Sequence, residues 1–167
     1  MTGGSSANIT PADIVLADWG TSNLRLWAMD AAGNIRAERR SDRGMRQLDR
    51  DGFGPELDRC LAAMAVPADT PVLICGMAGA AQGWREAPYL DAPCELSEIG
   101  NISVQVEYDG RDIRILPGIA QRERTAPDVM RGEETILYGL ARTGRGDATV
   151  CLPGTHAKWA HLSGGHL

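Results

Sequence analysis

The sequence predicts an α/β fold built on a mixed sheet, in which an antiparallel meander is flanked by helices. Strands are indicated in two ways. Strongly apolar runs at residues 14–16, 72–75 and 148–152 are typical of buried strands, whereas residues 24–29 alternate in polarity with a period of two, as a half-buried strand does. Two other segments space their apolar residues three and four apart, which indicates helices with one buried face.

Three consecutive strands joined by polar turns form the predicted meander. The strands are residues 14–16, 24–29 and 35–40, and the turns between them are residues 18–23 and 31–34. Residues 1–11 are expected to be a disordered lead-in, as chain termini often are. The charged stretch 41–51 is expected to be a solvated loop, and a substrate-facing segment is the alternative.

The later part of the chain alternates helices and strands. A helix over residues 55–65 leads to the apolar strand 72–75, which we expect to extend the meander as a parallel strand, together with a strand around Ile115. The remaining predicted elements are a hairpin turning at residues 109–110, a helical segment within 127–142, a buried strand at 148–152 and a strand from residue 159 that opens another hairpin.

The predicted organisation is one lobe over residues 12–147, with residues 148–167 beginning a second lobe. The chain stops two residues into the returning strand of its last hairpin, so we expect this second lobe to be truncated. An unfinished hairpin leaves a sheet edge unpaired, which favours self-association and allows a homo-oligomer.

Composition narrows the function classes. The chain has 167 residues and a net charge of −5, which is enough length for one core and argues against a nucleic-acid partner. No apolar run approaches the ~20 residues of a membrane-spanning helix. The four cysteines show no metal-binding spacing, and Cys75 and Cys151 lie in apolar runs, so we expect reduced core thiols and a cytoplasmic location.

The first polar turn follows directly after a buried strand. Gly20 lets the backbone approach a ligand closely, and Thr21, Ser22 and Asn23 supply hydroxyl and amide donors beside turn N–H groups. Asp18 ends the strand, where a carboxylate could hold a hydrated Mg²⁺. The turn is therefore a candidate phosphate site, and an ordinary polar hairpin tip is the alternative.

A second turn near the end of the chain repeats this pattern. The strand at 148–152 leads into Gly154, Thr155 and His156, and Lys158 follows as a cation. Two such hairpins facing each other can hold a polyphosphate from both sides. The alternative is another β-turn in which Lys158 is a solvated charge.

The loop that follows the apolar strand 72–75 contains Gly76, Met77, Ala78, Gly79, Gln82 and Trp84. Its glycines permit close approach, Gln82 can donate and accept hydrogen bonds, and Trp84 offers an apolar wall. Packing in the core is an equal alternative for Trp84.

Four motifs together resemble one family. The turn Asp18-Trp-Gly-Thr-Ser is similar to the first phosphate loop of the sugar kinase, actin and Hsp70 superfamily. With the segments 76–89, 127–135 and 152–159, it resembles the 2-dehydro-3-deoxygalactonokinase family. The resemblance implies a ribonuclease H-like, actin-type ATPase lobe. It also implies ATP- and Mg²⁺-dependent phosphorylation of the 6-hydroxyl of 2-dehydro-3-deoxy-D-galactonate, and family members continue beyond residue 167.

The resemblance also implies residue roles. Asp18 would hold Mg²⁺ through water, and the residues facing ATP phosphates would be Gly20, Thr21, Ser22, Asn23, Gly154, Thr155, His156 and Lys158. The residues facing the sugar acid would be Arg25, Gly76, Met77, Ala78, Gly79, Gln82 and Trp84, and Arg85 and Arg131 are further cations for its carboxylate.

The resemblance places the catalytic base at the helix before the second phosphate hairpin. Glu133 is the preferred base and Asp128 the next candidate. For Glu133, Asp128 and Glu134 alike, the alternative is an acid that only complements the helix dipole. The other readings of the whole chain are a polyphosphate phosphatase of the same superfamily and a non-catalytic fragment.

Overall fold

The structure is a computed structural model that describes residues 12–144, 147–154 and 157–167. It contains eleven named strands and two α-helices in those ranges. The strands are β1 Ile14–Trp19, β2 Leu24–Met29, β3 Ile35–Ser41, β4 Val72–Gly76, β5 Tyr89–Asp91, β6 Val104–Tyr108, β7 Arg111–Ile115, β8 Gly118–Gln121, β9 Asp128–Met130, β10 Ala148–Leu152 and β11 Lys158–Leu162; the helices are α1 Phe53–Ala63 and α2 Glu133–Arg142. The lead-in expected at residues 1–11 lies outside the described ranges. None of the described helices has the length and apolarity needed to cross a membrane.

The largest sheet has six strands in the order β3-β2-β1-β4-β7-β6. The strands β1, β2 and β3 form an antiparallel meander, and β4 lies parallel to β1 with Val15 opposite Val72. β7 continues the sheet parallel to β4, with Ile74 opposite Ile115. The predicted meander, its parallel extension and the α/β class are thereby confirmed. Two smaller sheets have the orders β5-β8-β9 and β10-β11.

The two faces of the large sheet have different environments. Alternate residues of β1, β2 and β4, such as Trp19, Leu26 and Ile74, are fully buried in a core that includes Phe53 and Leu57 of α1. A second core lies around Leu137 of α2 and also contains residues of β8 and β11. This alternation leaves the other face of β1, β2 and β4 available to line a cleft.

Three local predictions differ from the structure. The helix expected within 127–142 starts only at Glu133, because Asp128–Met130 pairs with β8 and Gly132 follows with a φ of 111°. The strand β10 alternates between half-buried and exposed residues instead of being buried, so Cys151 is exposed and is not a core residue. The helix expected at residue 55 begins at Phe53.

Trp84 belongs to an aromatic cluster in the first core. Its ring is stacked on the Phe53 ring, with 5.9 Å between the ring centroids. It packs edge-to-face with the rings of Trp19 and Tyr108, at centroid distances of 6.0 and 5.6 Å. Trp84 is 8 % exposed, which favours packing in the core over a wall of the sugar-acid site.

Replacing Trp84 therefore tests packing. We expect Trp84→Ala to lower the free energy of unfolding by about 3–5 kcal/mol, because it removes a large side chain from a closed cluster. Trp159 is 70 % exposed, so Trp159→Ala is a matched control with an expected change within about 0.5 kcal/mol. Urea unfolding of the purified protein measures both, and equal losses in the two variants would contradict this account.

Candidate functional site

The first polar turn lies at the carboxyl end of β1. It is closed by a hydrogen bond from Gly20 N to the Asn23 carbonyl oxygen at 2.9 Å. Asp18 lies opposite Arg25 on β2, and the Arg25 guanidinium donates to the Asp18 carboxylate. Their side chains are 29 % and 49 % exposed, so this ion pair faces solvent.

The segment after β3 supports this turn. Met45 N donates to the Gly20 carbonyl and Arg46 N to the Thr21 carbonyl, both at 3.0 Å. A Cβ on Gly44 would lie 2.5 Å from the backbone nitrogens of Ser22 and Asn23, so only glycine fits there. The expectation of a solvated loop over 41–51 is thus wrong for residues 44–46, whose backbone packs against the turn.

Three backbone segments meet beside Asp18. Gly76, at the end of β4, has a φ of 90°, and a Cβ there would lie 2.7 Å from the Trp19 carbonyl oxygen and 3.4 Å from Asp18 Oδ1. A Cβ on Gly132 would lie 3.4 Å from the Cα of Gly76. The turn before α2 is thus brought against the ends of β1 and β4.

The start of α2 carries two glutamates in different environments. Glu133 is half-buried, and its Oε2 accepts a hydrogen bond from Arg131 N at 3.0 Å. Glu134 is 0 % exposed, and its two carboxylate oxygens accept from Gly132 N at 2.8 and 2.7 Å. Burial raises the pKa of Glu134 to about 7. Glu134 thus does more than complement the helix dipole, because its buried carboxylate binds the backbone of the turn.

Cys75 lies between this turn and Asp18. It pairs with Asp18 across the parallel strands, and its Sγ is 3.7 Å from the Thr135 hydroxyl, which donates to the Gly132 carbonyl at 2.7 Å. Burial, and secondly the charge of Asp18, raise the pKa of the Cys75 thiol to about 12. The thiol is therefore an uncharged part of the site.

Lys158 closes the site from the side of the last hairpin. Its side chain is 11 % exposed, and its ammonium donates to the carboxylate of Asp128 on β9. The predicted phosphate cation is thus paired with one of the two predicted bases. Thr155 and His156, which were also predicted to bind phosphate, lie outside the described residues.

A cleft of about 1470 Å³ lies on the face of the sheet opposite α1, and its lining includes Asp18, Cys75, Glu133 and Lys158. The predicted site residues that line it are Asp18, Gly20, Thr21, Arg25, Met77, Asp128, Glu133, Gly154 and Lys158. An adjoining polar pocket of about 870 Å³ includes Ser22 and Asn23 together with Arg40, Ser41 and Asp42.

Part of the predicted sugar-acid loop lies elsewhere. Among the described residues, the cleft lining does not include Gly76, Ala78, Gly79, Gln82 or Trp84, although it includes Met77 of the same loop. Sequence reasoning missed the contribution of Tyr89, Cys75 and Thr135. Their signal was weak, because a short strand and an apolar run are ordinary structural features.

Comparison with known proteins identifies the family. A model of the family described as 2-keto-3-deoxy-galactonokinase matches residues 18–167. The chain belongs to this family. The match favours the kinase reading over a polyphosphate phosphatase.

Two curated relatives and one solved structure are similar to the chain. A protein from Rhizobium meliloti (strain 1021), described as a probable 2-dehydro-3-deoxygalactonokinase, is 53 % identical over 147 residues, covering 87 % of this chain and 48 % of its own length. The 2-dehydro-3-deoxygalactonokinase of Escherichia coli (strain K12) is 36 % identical over 151 residues, covering 89 % and 49 %. A crystal structure from Sinorhizobium meliloti, provisionally described with the same activity, has a TM-score of 0.87 and 51 % identity, covering 92 % of this chain and 51 % of its own. The chain spans about half the length of the curated relatives it matches.

Gly44 provides a test of how the phosphate turn is supported. We expect Gly44→Ala to destabilise the protein by about 1–3 kcal/mol or to displace the turn, because the added methyl group overlaps the backbone at Ser22 and Asn23. Gly100→Ala is the matched control, since a Cβ there meets nothing within 4 Å. Urea unfolding measures the stability, and amide exchange at residues 20–23 reports the turn. Unchanged exchange and stability in Gly44→Ala would show that the turn does not need this contact.

Glu134 gives the structure a defined pH dependence. Its pKa in the folded protein is about 7, above the 4.5 of an unperturbed glutamate, so the folded state binds this proton more tightly than the unfolded chain. The stabilisation of the folded state by protonation of Glu134 is therefore complete below about pH 4.5. It is lost as the pH rises to about 7, which lowers the free energy of unfolding by up to about 3 kcal/mol. Glu134→Gln should flatten this part of the stability–pH curve, measured by urea unfolding between pH 4.5 and 8. A curve of unchanged slope in the variant would contradict the assignment.

Proposed function

We propose that the full-length protein transfers a phosphoryl group from ATP to the 6-hydroxyl of 2-dehydro-3-deoxy-D-galactonate. The observation that carries the proposal is that Asp18, Glu133 and Lys158, which come from separate segments of the chain, line one cleft. Family membership and the names of the relatives support the choice of substrate. Phosphoryl transfer depends mainly on positioning and charge neutralisation, which such a convergence of charged groups can provide.

We also propose the finer organisation implied by the family. Residues 12–147 form a ribonuclease H-like, actin-type lobe, and residues 148–167 begin a second one, in keeping with the separate two-stranded sheet of β10 and β11. The partners are the small sugar acid and the remainder of the second lobe, with a homo-oligomer as a further proposal. A cytosolic location is supported by the four free thiols, since disulfides are rare in that compartment.

The residues present fit a hydrated Mg²⁺ that arrives with ATP. The described residues contain no group of three His, Cys, Asp or Glu side chains that could hold a metal ion by themselves. Mg²⁺ in phosphotransferases commonly uses one or two carboxylates together with phosphates and water, and the partly exposed Asp18 supplies such a carboxylate. When bound, the ion would neutralise charge on the phosphates.

The chain's own groups then have distinct tasks. Thr21, Ser22 and Asn23 offer donors at the turn, and Lys158 reaches the cleft as a cation that phosphate oxygens can share with Asp128. Arg25 can exchange its Asp18 partner for an anion when ligands enter. Glu133 is the preferred acceptor for the proton of the attacking hydroxyl, because Asp128 is already engaged with Lys158.

Substitutions that keep side-chain size separate these roles in the full-length protein. Glu133→Gln should lower turnover by about 10²-fold or more with ATP binding nearly intact, which is the usual contribution of a general base. Asp18→Asn should instead weaken the use of Mg·ATP and make the rate more sensitive to Mg²⁺. Asp128→Asn should have the milder effect on turnover, since it removes a partner of Lys158 and not the base.

A coupled assay against a panel of keto-deoxy sugar acids measures these effects. Asp112→Asn is the matched control, because Asp112 lies on the exposed side of β7 and outside the cleft lining. Loss of turnover in Asp128→Asn with normal turnover in Glu133→Gln would move the base to Asp128. A wild-type protein that phosphorylates none of the acids would reject the proposed function.

A further inference from the structure

Three arginines were available to meet the carboxylate of an anionic substrate, and the structure distinguishes them. Arg25 already donates to Asp18. Arg85 is exposed and does not belong to the described cleft lining. Arg131 lines the cleft, and among the described residues no carboxylate lies within ion-pair distance of its guanidinium. Arg131 is therefore the cleft arginine that lacks a counter-ion in the described structure.

The guanidinium of Arg131 is nevertheless held in place. Its Nη2 donates to the Ala87 carbonyl oxygen at 2.9 Å, and its Nε lies 3.4 Å from the Tyr89 hydroxyl. Its carbon Cζ lies 4.2 Å from the centre of the Tyr89 ring, a cation–π contact. The contacts with Ala87 and Tyr89 use neutral groups, so they orient the cation without neutralising it.

Gly79 provides the space for this side chain. A Cβ on Gly79 would lie 2.8 Å from Nη1 of Arg131 and 2.9 Å from Ile115. Nη1 is buried and has no hydrogen-bond partner among the described residues, a costly state for part of a charged group. Gly79 belongs to the loop predicted to contact the sugar acid. This loop thus packs against the Arg131 side chain, although Gly79 itself does not line the cleft.

Arg131 also contacts the preferred base through its backbone. The Glu133 carboxylate contacts the backbone nitrogen of Arg131, whereas the guanidinium of the same residue reaches Ala87. The carboxylate and the guanidinium thus make their contacts at different ends of Arg131. A six-carbon sugar acid carries its carboxylate and its terminal hydroxyl at opposite ends.

We propose that Arg131 binds the carboxylate of the sugar acid and makes the site select an acid over a neutral sugar. The inference rests on the proposed function. A carboxylate supplies the missing counter-ion and accepts from a guanidinium hydrogen that the contacts with Ala87 and Tyr89 leave unpaired. Arginine suits this task because its planar donors match the two carboxylate oxygens.

Kinetics with a matched pair of substrates test the inference in the full-length protein. The pair is the keto-deoxy sugar acid and its primary amide, which has the same shape without the charge. Arg131→Gln should raise the KM for the acid by about 10- to 100-fold, the usual effect of losing a charge-assisted hydrogen bond. The KM for the amide and the KM for ATP should stay within about twofold. The KM of Arg131→Lys for the acid should lie between those of the wild type and Arg131→Gln. Arg114→Gln is the control that should behave as wild type, because Arg114 is exposed on β7 and lies outside the cleft lining.

Gly79→Ala tests the same inference without removing a charge. Its methyl group would push against Nη1, so the KM for the acid should rise while that for the amide stays near wild type. The thermal midpoint of each variant is measured alongside, because the methyl group also meets Ile115.

The possible outcomes separate this inference from the proposed function. A wild-type protein that phosphorylates the acid, with an unchanged KM in Arg131→Gln, would overturn the role of Arg131 and leave the function standing. If the wild type phosphorylates no acid, calorimetric titration decides: Arg131 is supported when the wild type binds the acid more tightly than the amide and Arg131→Gln loses that preference, and rejected otherwise. If Arg131→Gln does not fold, Arg131→Lys and Gly79→Ala carry the same comparison.

Discussion

Close backbone contact at the carboxyl ends of β1 and β4 is the constraint on which the site depends. Gly76 approaches the Trp19 carbonyl, and Gly132 approaches Gly76, at distances that a side chain would disturb. Parallel pairing of β1 and β4 places Asp18 beside Cys75 at this edge of the sheet. The buried carboxylate of Glu134 accepts hydrogen bonds from the Gly132 backbone nitrogen and so fixes this turn. Together these contacts explain how segments far apart in the sequence bring charged groups to one cleft.

The charged groups of the site are largely paired with one another in the structure. Asp18 is bound to Arg25 and Lys158 to Asp128. The first pair is partly exposed, and exposed ion pairs contribute little to stability, typically about 0–1 kcal/mol. Exchange of Asp18 for a phosphate at Arg25 is therefore inexpensive. The protein can keep its cleft nearly neutral until a polyanion enters. Arg131 differs, because in the part of the chain that the structure describes no carboxylate forms an ion pair with it.

The strands and the polar turns could be predicted from the sequence because both depend on local patterns. The apolar run of β4 has few alternatives to a buried parallel strand, and Gly20 with Thr21 indicates a tight polar turn between two strands. The support from Gly44 could not be predicted, since a glycine that packs on another backbone leaves no side-chain pattern. The role of Trp84 stayed open for a related reason. The same ring can line a pocket or fill a core, and contacts with Trp19, Phe53 and Tyr108, which are distant in sequence, decide between them.

The cysteines differ sharply in chemical accessibility. Burial raises the pKa values of Cys60 to about 11 and Cys75 to about 12, and also raises that of Cys94, so these three thiols are kept as the unreactive neutral form. Cys151 is the exposed one of the four, and it lies on β10 in the hairpin that bears Lys158. The thiolate is the species that attacks electrophiles, and it must be reachable to do so. A maleimide-linked fluorophore would therefore attach selectively at Cys151 in the folded protein, where it would sit on the outside of the hairpin that closes the cleft.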